Sequence, residues 1–369
     1  MLQDLRYQKI MRNREEMLKH LKTFNLELKP AIGIWSLGAS GSRFHEPYFE
    51  DKTIEERLEI VARLAEKGLK AVEAHYGVEI NEENLHLYQK LEKETGVKVS
   101  QIGPHLFAER AYEFGTLSNP RKDIRDKATE SFIEILKFAK KANADAVGLW
   151  PGIDGYTYSY GHMYNQMWDY FEEALAYAMD EVPGVMVRLE PKPCEPIPNN
   201  IYRTTADGLL LARDIEARLK NPINRKLLEE GRCLVGMQPE IGHIRMGYED
   251  TPYVFSRICR EGRMSHPHFN SQPLGNYDQD LNVGVVEWEQ AEAGLLALKM
   301  AGFKEYIGMD INPERIPPEK ATEINMRVLE IMKERIDSLP YEEILDCYYE
   351  PETHRGDMEL IFAEMMRRK

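Results

Sequence analysis

The sequence predicts an α/β protein, a (β/α)8 TIM barrel, with a short helical segment before it and an arm after it. Three observations carry this expectation. Short runs rich in β-forming residues alternate with amphipathic helical stretches between residues 31 and 338, the pattern of parallel strands joined by crossover helices. Side chains suited to holding cations gather where those runs end, and in a barrel all such ends share one face. No low-complexity linker divides the 369 residues, and barrels often run longer than other single domains.

Taken in order, residues 1–30 form an N-terminal helical segment, in which Leu2–Phe24 reads as a helix. Residues 31–338 form the barrel. Its strands are expected at Ala31–Ser36, Ala71–His75, Val97–Gly103, Ala146–Trp150, Val185–Glu190, Leu234–Gln238, Met264–Phe269 and Glu305–Gly308. The first crossover helix has apolar residues at three- and four-residue spacing (Ile54, Leu58, Val61, Leu64, Ala65). Asp51 and Thr53 supply its start signal and Gly68 its stop. Residues 339–369 form an arm with aromatic (Tyr348, Tyr349) and Met-rich (Met358, Met365, Met366) patches, suited to packing or to a subunit contact.

Composition narrows the function. The net charge of −14 repels polyanions, and no basic stripe overrides it, so nucleic acid is not an expected partner. No apolar run approaches the roughly 18 residues needed to span a bilayer, and no membrane association is expected. The first residues lack the uninterrupted apolar stretch of a signal peptide. Four widely spaced cysteines with no CxxC pairing suit reduced thiols in a cytoplasmic protein.

The chemistry collects at four strand ends. In Glu190-Pro191-Lys192-Pro193-Cys194-Glu195-Pro196, a carboxylate and an ammonium two residues apart project from one side of an extended, proline-stiffened segment. In Gln238-Pro239-Glu240-Ile241-Gly242-His243, Glu240 can bridge two cations while His243 offers a nitrogen. Asp278 and Asp280 place two hard oxygen ligands in one loop. Asp310 ends the eighth strand. Any one of these could be a solvated acidic loop or a helix cap; their coincidence on one barrel face favours a metal site.

These residues resemble the xylose isomerases. Trp35, His75, Leu149-Trp150, the Glu-Pro-Lys-Pro-x-Glu-Pro stretch, Glu240-x-x-His243, His266-x-x-x-Asn270, Asp278-Gln279-Asp280-Leu281 and Asp310 occur in the family's order over residues 31–335. The resemblance implies two divalent metal ions (Mn2+, Co2+ or Mg2+), a monosaccharide substrate and interconversion of an aldose and a ketose by a 1,2-hydride shift. It implies that Glu190, Glu240 and Asp310 hold a substrate-chelating metal, and that Glu240, His243, Asp278 and Asp280 hold a catalytic one. His75, Lys192 and Asp280 become the catalytic candidates, His75 at ring opening and Lys192 at the carbonyl oxygen. Trp35, Phe107 and Trp150 would line the sugar, and Phe44 would reach a neighbouring subunit's pocket in a homo-oligomer, a tetramer or dimer.

Four departures qualify the likeness. His268 stands where the family has an Asp, similar to L-rhamnose isomerase. Five carboxylates against two dications then leave −1, and the nitrogen tilts preference from Mg2+ toward Mn2+, Co2+ or Zn2+. Val78 stands where an Asp orients the ring-opening His, so either Glu73, Glu79 or another group substitutes, or ring opening is spontaneous or differently arranged. Gly103 and Gly148 replace larger residues flanking the sugar and are expected to widen the pocket for hexoses. Ile153 replaces an Arg. The alternatives are an isomerase of L-rhamnose or D-allose, a sugar epimerase on the same barrel, a metal-assisted hydrolase and a non-enzymatic sugar-binding protein.

Overall fold

Eight parallel strands pair in the order β6-β5-β4-β3-β2-β1-β8-β7 in the computed structural model, which describes residues 2–39 and 45–367. They are β1 Pro30–Gly33, β2 Ala71–His75, β3 Lys98–Gly103, β4 Ala146–Leu149, β5 Met186–Leu189, β6 Val235–Met237, β7 His268–Phe269 and β8 Ile307–Met309. The sheet closes between β6 and β7 through parallel bridges Met237–Met264 and Glu240–His268. The result is the (β/α)8 barrel expected from the sequence.

All eight expected strands form; Ala71–His75 has the expected bounds, most others are shorter, and the eighth runs one residue further, to Met309. The first stops at Gly33, where a 3-10 turn over Ile34–Leu37 folds the Trp35 ring back over the glycine. A Cβ at position 33 would lie 2.1 Å from that ring. The seventh is a lone bridge at Met264 followed by the two-residue ladder, because Pro267 has no N–H to donate.

The crossover helices show the expected signals. Thr53 and Glu56 form a reciprocal capping box ahead of Ile54–Ala65. That helix buries Leu58, Ile60, Val61 and Leu64 against the barrel, and Gly68 leaves it at φ +110°. The core is a continuous apolar layer between strands and helices.

The N-terminal segment is not one helix. A 3-10 turn at Arg6–Lys9 precedes a helix at Arg14–Thr23, separated by Asn13, whose side chain caps the second element in a box with Glu16. Gln8 bonds both the N–H and the carbonyl of Met264, placing the segment against the end of the barrel away from the ligand residues. The C-terminal residues form helices Tyr341–Tyr349 and Asp357–Met365. Arg14 pairs with Asp346 and joins the two termini. All four cysteines are free. Phe44 lies outside the described residues.

Candidate metal centre

A cavity of about 430 Å³ opens at the carboxyl ends of the strands. It is lined by Trp35, His75, Gly103, Phe107, Gly148, Trp150, Glu190, Lys192, Glu240, His243, His268, Asp278, Asp280 and Asp310, every candidate within the described residues. The topology divides them. His75 and the aromatic residues come from β1 to β4, whereas the carboxylates, Lys192 and the ligand histidines come from β5 to β8.

Two ligand sets form within the second half. Glu190, Glu240, His268 and Asp310 each offer one ligand atom, all within 4.8 Å of one another. Glu240, His243 and Asp278 make a second such set, so Glu240 belongs to both. Asp280 falls outside both at this spacing, yet remains adjacent: Asn270 Nδ2 donates to Glu240 Oε1 (2.9 Å) and to Asp280 Oδ1 (3.2 Å). The Glu240–His268 bridge that closes the barrel is also what brings two members of the first set together.

Several buried polar atoms here lack partners. They are His243 Nδ1, His268 Nδ1, Asp278 Oδ1 and Gln238 Oε1. Buried polar groups are ordinarily satisfied, and leaving one unpaired costs about 1–3 kcal/mol. His268 Nδ1 lies 3.7 Å from Glu240 Oε2 and 3.6 Å from Asp310 Oδ2, aimed into the first set. Imidazole nitrogens and carboxylate oxygens in these groupings fit divalent cations.

The electrostatics point the same way. Burial, reinforced by the charges of Glu240 and Asp310, pushes the Glu190 carboxyl up to about 8. Burial and the neighbouring carboxylates likewise hold Asp280 well above its ordinary value. Burial works against charge on His268, yet Glu73, Asp310 and Glu240 raise it well above the usual imidazole range. Protons are retained where positive charge is wanted.

Lys192 is buried and donates to Asp278 Oδ2 at 2.6 Å. Its Nζ lies 5.1 Å from the centre of the Trp150 ring, which Phe107 meets edge-on at 4.7 Å. Trp35 Nε1 donates to Asp310 Oδ1 at 2.9 Å, and its ring lies 4.7 Å from that of His75. Of the two residues named for the place of the missing orienting Asp, Glu79 takes it: its Oε2 lies 3.0 Å from His75 Nδ1 and accepts from the His75 backbone N–H. Val78 is exposed.

The space expected to open at the two glycines is met by neighbouring side chains. A Cβ on Gly148 would fall 2.3 Å from the Gln101 amide nitrogen, so Gln101 already fills that space. A Cβ on Gly103 would meet the His75 ring at 3.0 Å. The glycines make room for neighbouring side chains.

Glu73, Gln101 and Gln238 are site residues that sequence reasoning left without these roles. Gln238 Nε2 donates to Glu190 Oε2 at 2.6 Å. Glu73 lies two residues before His75 and Gln101 two before Gly103, so strand alternation turns each toward the cavity; that signal was readable.

These features define a barrel with candidate metal-ligand clusters at the carboxyl ends of its strands. A family model described as a xylose isomerase-like TIM barrel matches residues 61–332, and the chain belongs to that family. It is 25% identical over 347 residues to the xylose isomerase of Thermus thermophilus, covering 86% of this chain and 83% of that one. Solved structures with the same fold include an L-ribulose 3-epimerase (TM-score 0.61, 14% identity, 84% of this chain and 96% of that chain). Another is the 3-keto-D-glucoside 4-epimerase of E. coli (TM-score 0.56, 15% identity, 83% and 100%). No helix among the described residues is long and apolar enough to cross a membrane.

Proposed function

We propose that the protein is a metal-dependent aldose–ketose isomerase acting on a free monosaccharide. Two divalent cations, Mn2+, Co2+ or Mg2+, would be held by Glu190, Glu240, His268 and Asp310 and by Glu240, His243, Asp278 and Asp280. The observation that carries the reading is the sharing of Glu240 between two ligand sets, with the Lys192 ammonium beside the second. When bound, the cations supply Lewis-acid stabilisation of negative charge on adjacent sugar oxygens.

The protein's own groups account for the rest. With Nδ1 of His75 held by Glu79, its other nitrogen is left to exchange a proton with the sugar's ring oxygen or O1. The Lys192 ammonium can donate to the carbonyl oxygen, where charge develops as hydrogen moves between C2 and C1. Trp35, Phe107 and Trp150 cover the reacting carbons and exclude water.

The division of the barrel favours isomerisation over epimerisation. Inverting one carbon by removing and returning a proton calls for acid–base groups on both of its faces. The candidate ligand carboxylates come from β5 to β8, whereas the β1 to β4 half faces the cavity with the rings of Trp35, Phe107 and Trp150, the Glu79-held His75, and a Glu73 already engaged by Gln101, His266 and His268. Turnover of xylose, glucose, allose and rhamnose with added Mn2+ tests this. Ketose formation from at least one supports it; epimers without ketose would favour the second reading.

The four free thiols suit a cytoplasmic enzyme. Leu360, Phe362 and Met366 on the C-terminal arm are exposed and suit contact with a second copy. Sedimentation at micromolar concentration should give a dimer or tetramer; a species of 42.8 kDa alone would contradict assembly.

A further inference from the structure

Beneath the first ligand set, the barrel interior carries a polar layer that meets that set only through His268. Glu73 Oε2 accepts from Gln101 Nε2 at 2.9 Å and lies 3.1 Å from His268 Nε2, while its Oε1 lies 2.8 Å from His266 Nε2. All four side chains are buried. Gln101 is fixed in turn by Arg188 Nη1, 3.2 Å from its Oε1.

The backbone is shaped around this layer. The β2–β3 register shifts between Val72 and Glu73, which brings Glu73 opposite Gln101. Gly308 on β8 pairs with His268, and a Cβ there would fall 2.4 Å from the His268 ring and 2.9 Å from Glu73 Oε1. Gly148 leaves the space that Gln101 occupies. Two glycines and a bulge thus accommodate one carboxylate and its donors.

We propose that Glu73 is a positioning residue that keeps the His268 proton on Nε2, so that Nδ1 presents its lone pair to the Glu190–Glu240–Asp310 set. The ring has two nitrogens and only one can bear the proton in the neutral form, so the acceptor at Nε2 decides which one faces the cation. An acidic side chain would need no such partner; a histidine at position 268 does. Glu73 is already met by three donors, so the same geometry argues against its being a ligand itself. The inference rests on the proposed role of His268 as a ligand, not on which sugar is turned over.

Mn2+ binding to the full-length protein, followed by calorimetry, tests it without reference to activity. Glu73→Gln should weaken one of the two sites by about 10- to 100-fold, the usual effect of losing such a partner. His268→Asp supplies an oxygen ligand with no tautomer to fix, so adding Glu73→Gln to it should change binding within about twofold. An equal loss in both backgrounds would make Glu73 a general structural or electrostatic element, and no loss in either would remove its role. Nitrogen-15 spectra of histidine-labelled, Zn2+-loaded wild-type protein provide a readout independent of variant folding. They should place the His268 proton on Nε2; a proton on Nδ1 overturns the proposal. Normal metal binding with no aldose turnover would instead count against the isomerase reading alone.

Discussion

Lys192 donates from Nζ to Oδ2 of Asp278 across 2.6 Å, tying the end of β5 to the loop after β7. Lys192 is buried and Asp278 half-buried. Burial opposes the charge on each, but the pairing wins: Lys192 is held above the ordinary lysine range, and Asp278, with His243 also beside it, well below the carboxylate range. In the metal-free fold the ammonium is therefore held charged.

Lys192→Met should lower kcat by about a hundred- to a thousand-fold, the scale of losing one preorganised donor to a developing oxyanion. Mn2+ affinity should hold or rise, because Asp278 loses a competitor for its Oδ2. Steady-state kinetics beside Mn2+ calorimetry checks both; unchanged turnover would show that Lys192 does not reach the reacting oxygen.

Metal binding should tighten as pH rises from 6 to 8. In the metal-free fold the Glu190 carboxyl, ordinarily at 4.5, is pushed up to about 8, so it holds a proton that an incoming cation must displace. Its folded value exceeds its unfolded one, so the metal-free fold loses stability as pH climbs from about 4.5 to about 8. The gain in Tm on adding Mn2+ should therefore grow across that window. The change in apparent Kd should be on the order of tenfold per pH unit for each displaced proton. Calorimetry in buffers of different ionisation enthalpy should detect proton release, and a pH-independent Kd would contradict the assignment.

Gly148→Val should destabilise the fold, with no widening or narrowing of a sugar subsite as its first effect. The new side chain would displace Gln101 from Glu73 and Arg188. Overpacking of this kind costs about 1–3 kcal/mol, which thermal denaturation should register as a fall of several degrees. Gly103→Thr, whose Cβ meets only the His75 ring at 3.0 Å, should be milder. A Gly148→Val protein with wild-type Tm would mean that Gln101 can relocate freely.

The strands, the first helix with its Thr53–Glu56 box and the ligand residues at the strand ends were legible because each depends on local pattern: alternation, capping, and chemistry placed just after a β-run. The cavity-facing direction of Glu73 and Gln101 was legible from alternation too, but their partners and the role of Gly148 were not, because these depend on register between neighbouring strands. A bulge between Val72 and Glu73 sets that register, and no short stretch of sequence announces it. The misreading of Gly148 follows directly. A missing side chain in a barrel interior is as easily filled from the adjacent strand as left open to ligand, and here β3 fills what β4 vacates. Similarly, the sequence offered Glu73 and Glu79 as partners of His75 but left other groups and a different arrangement open. The turn after β2, which brings Glu79 back beneath the ring, decided between them.

On the proposed function, hydrogen moves between C1 and C2 of a sugar in the cavity at the carboxyl ends of the strands. The most direct measurement is turnover of an aldose carrying deuterium at C2, in ordinary water with Mn2+, with the ketose examined by NMR. The account predicts a ketose that keeps the deuterium at C1, because the aromatic wall of Trp35, Phe107 and Trp150 denies water access and no side-chain base is needed at carbon. A ketose that has lost its deuterium to solvent would contradict the hydride shift, and recovery of a C2-unlabelled epimer with no ketose would contradict the isomerase reading itself.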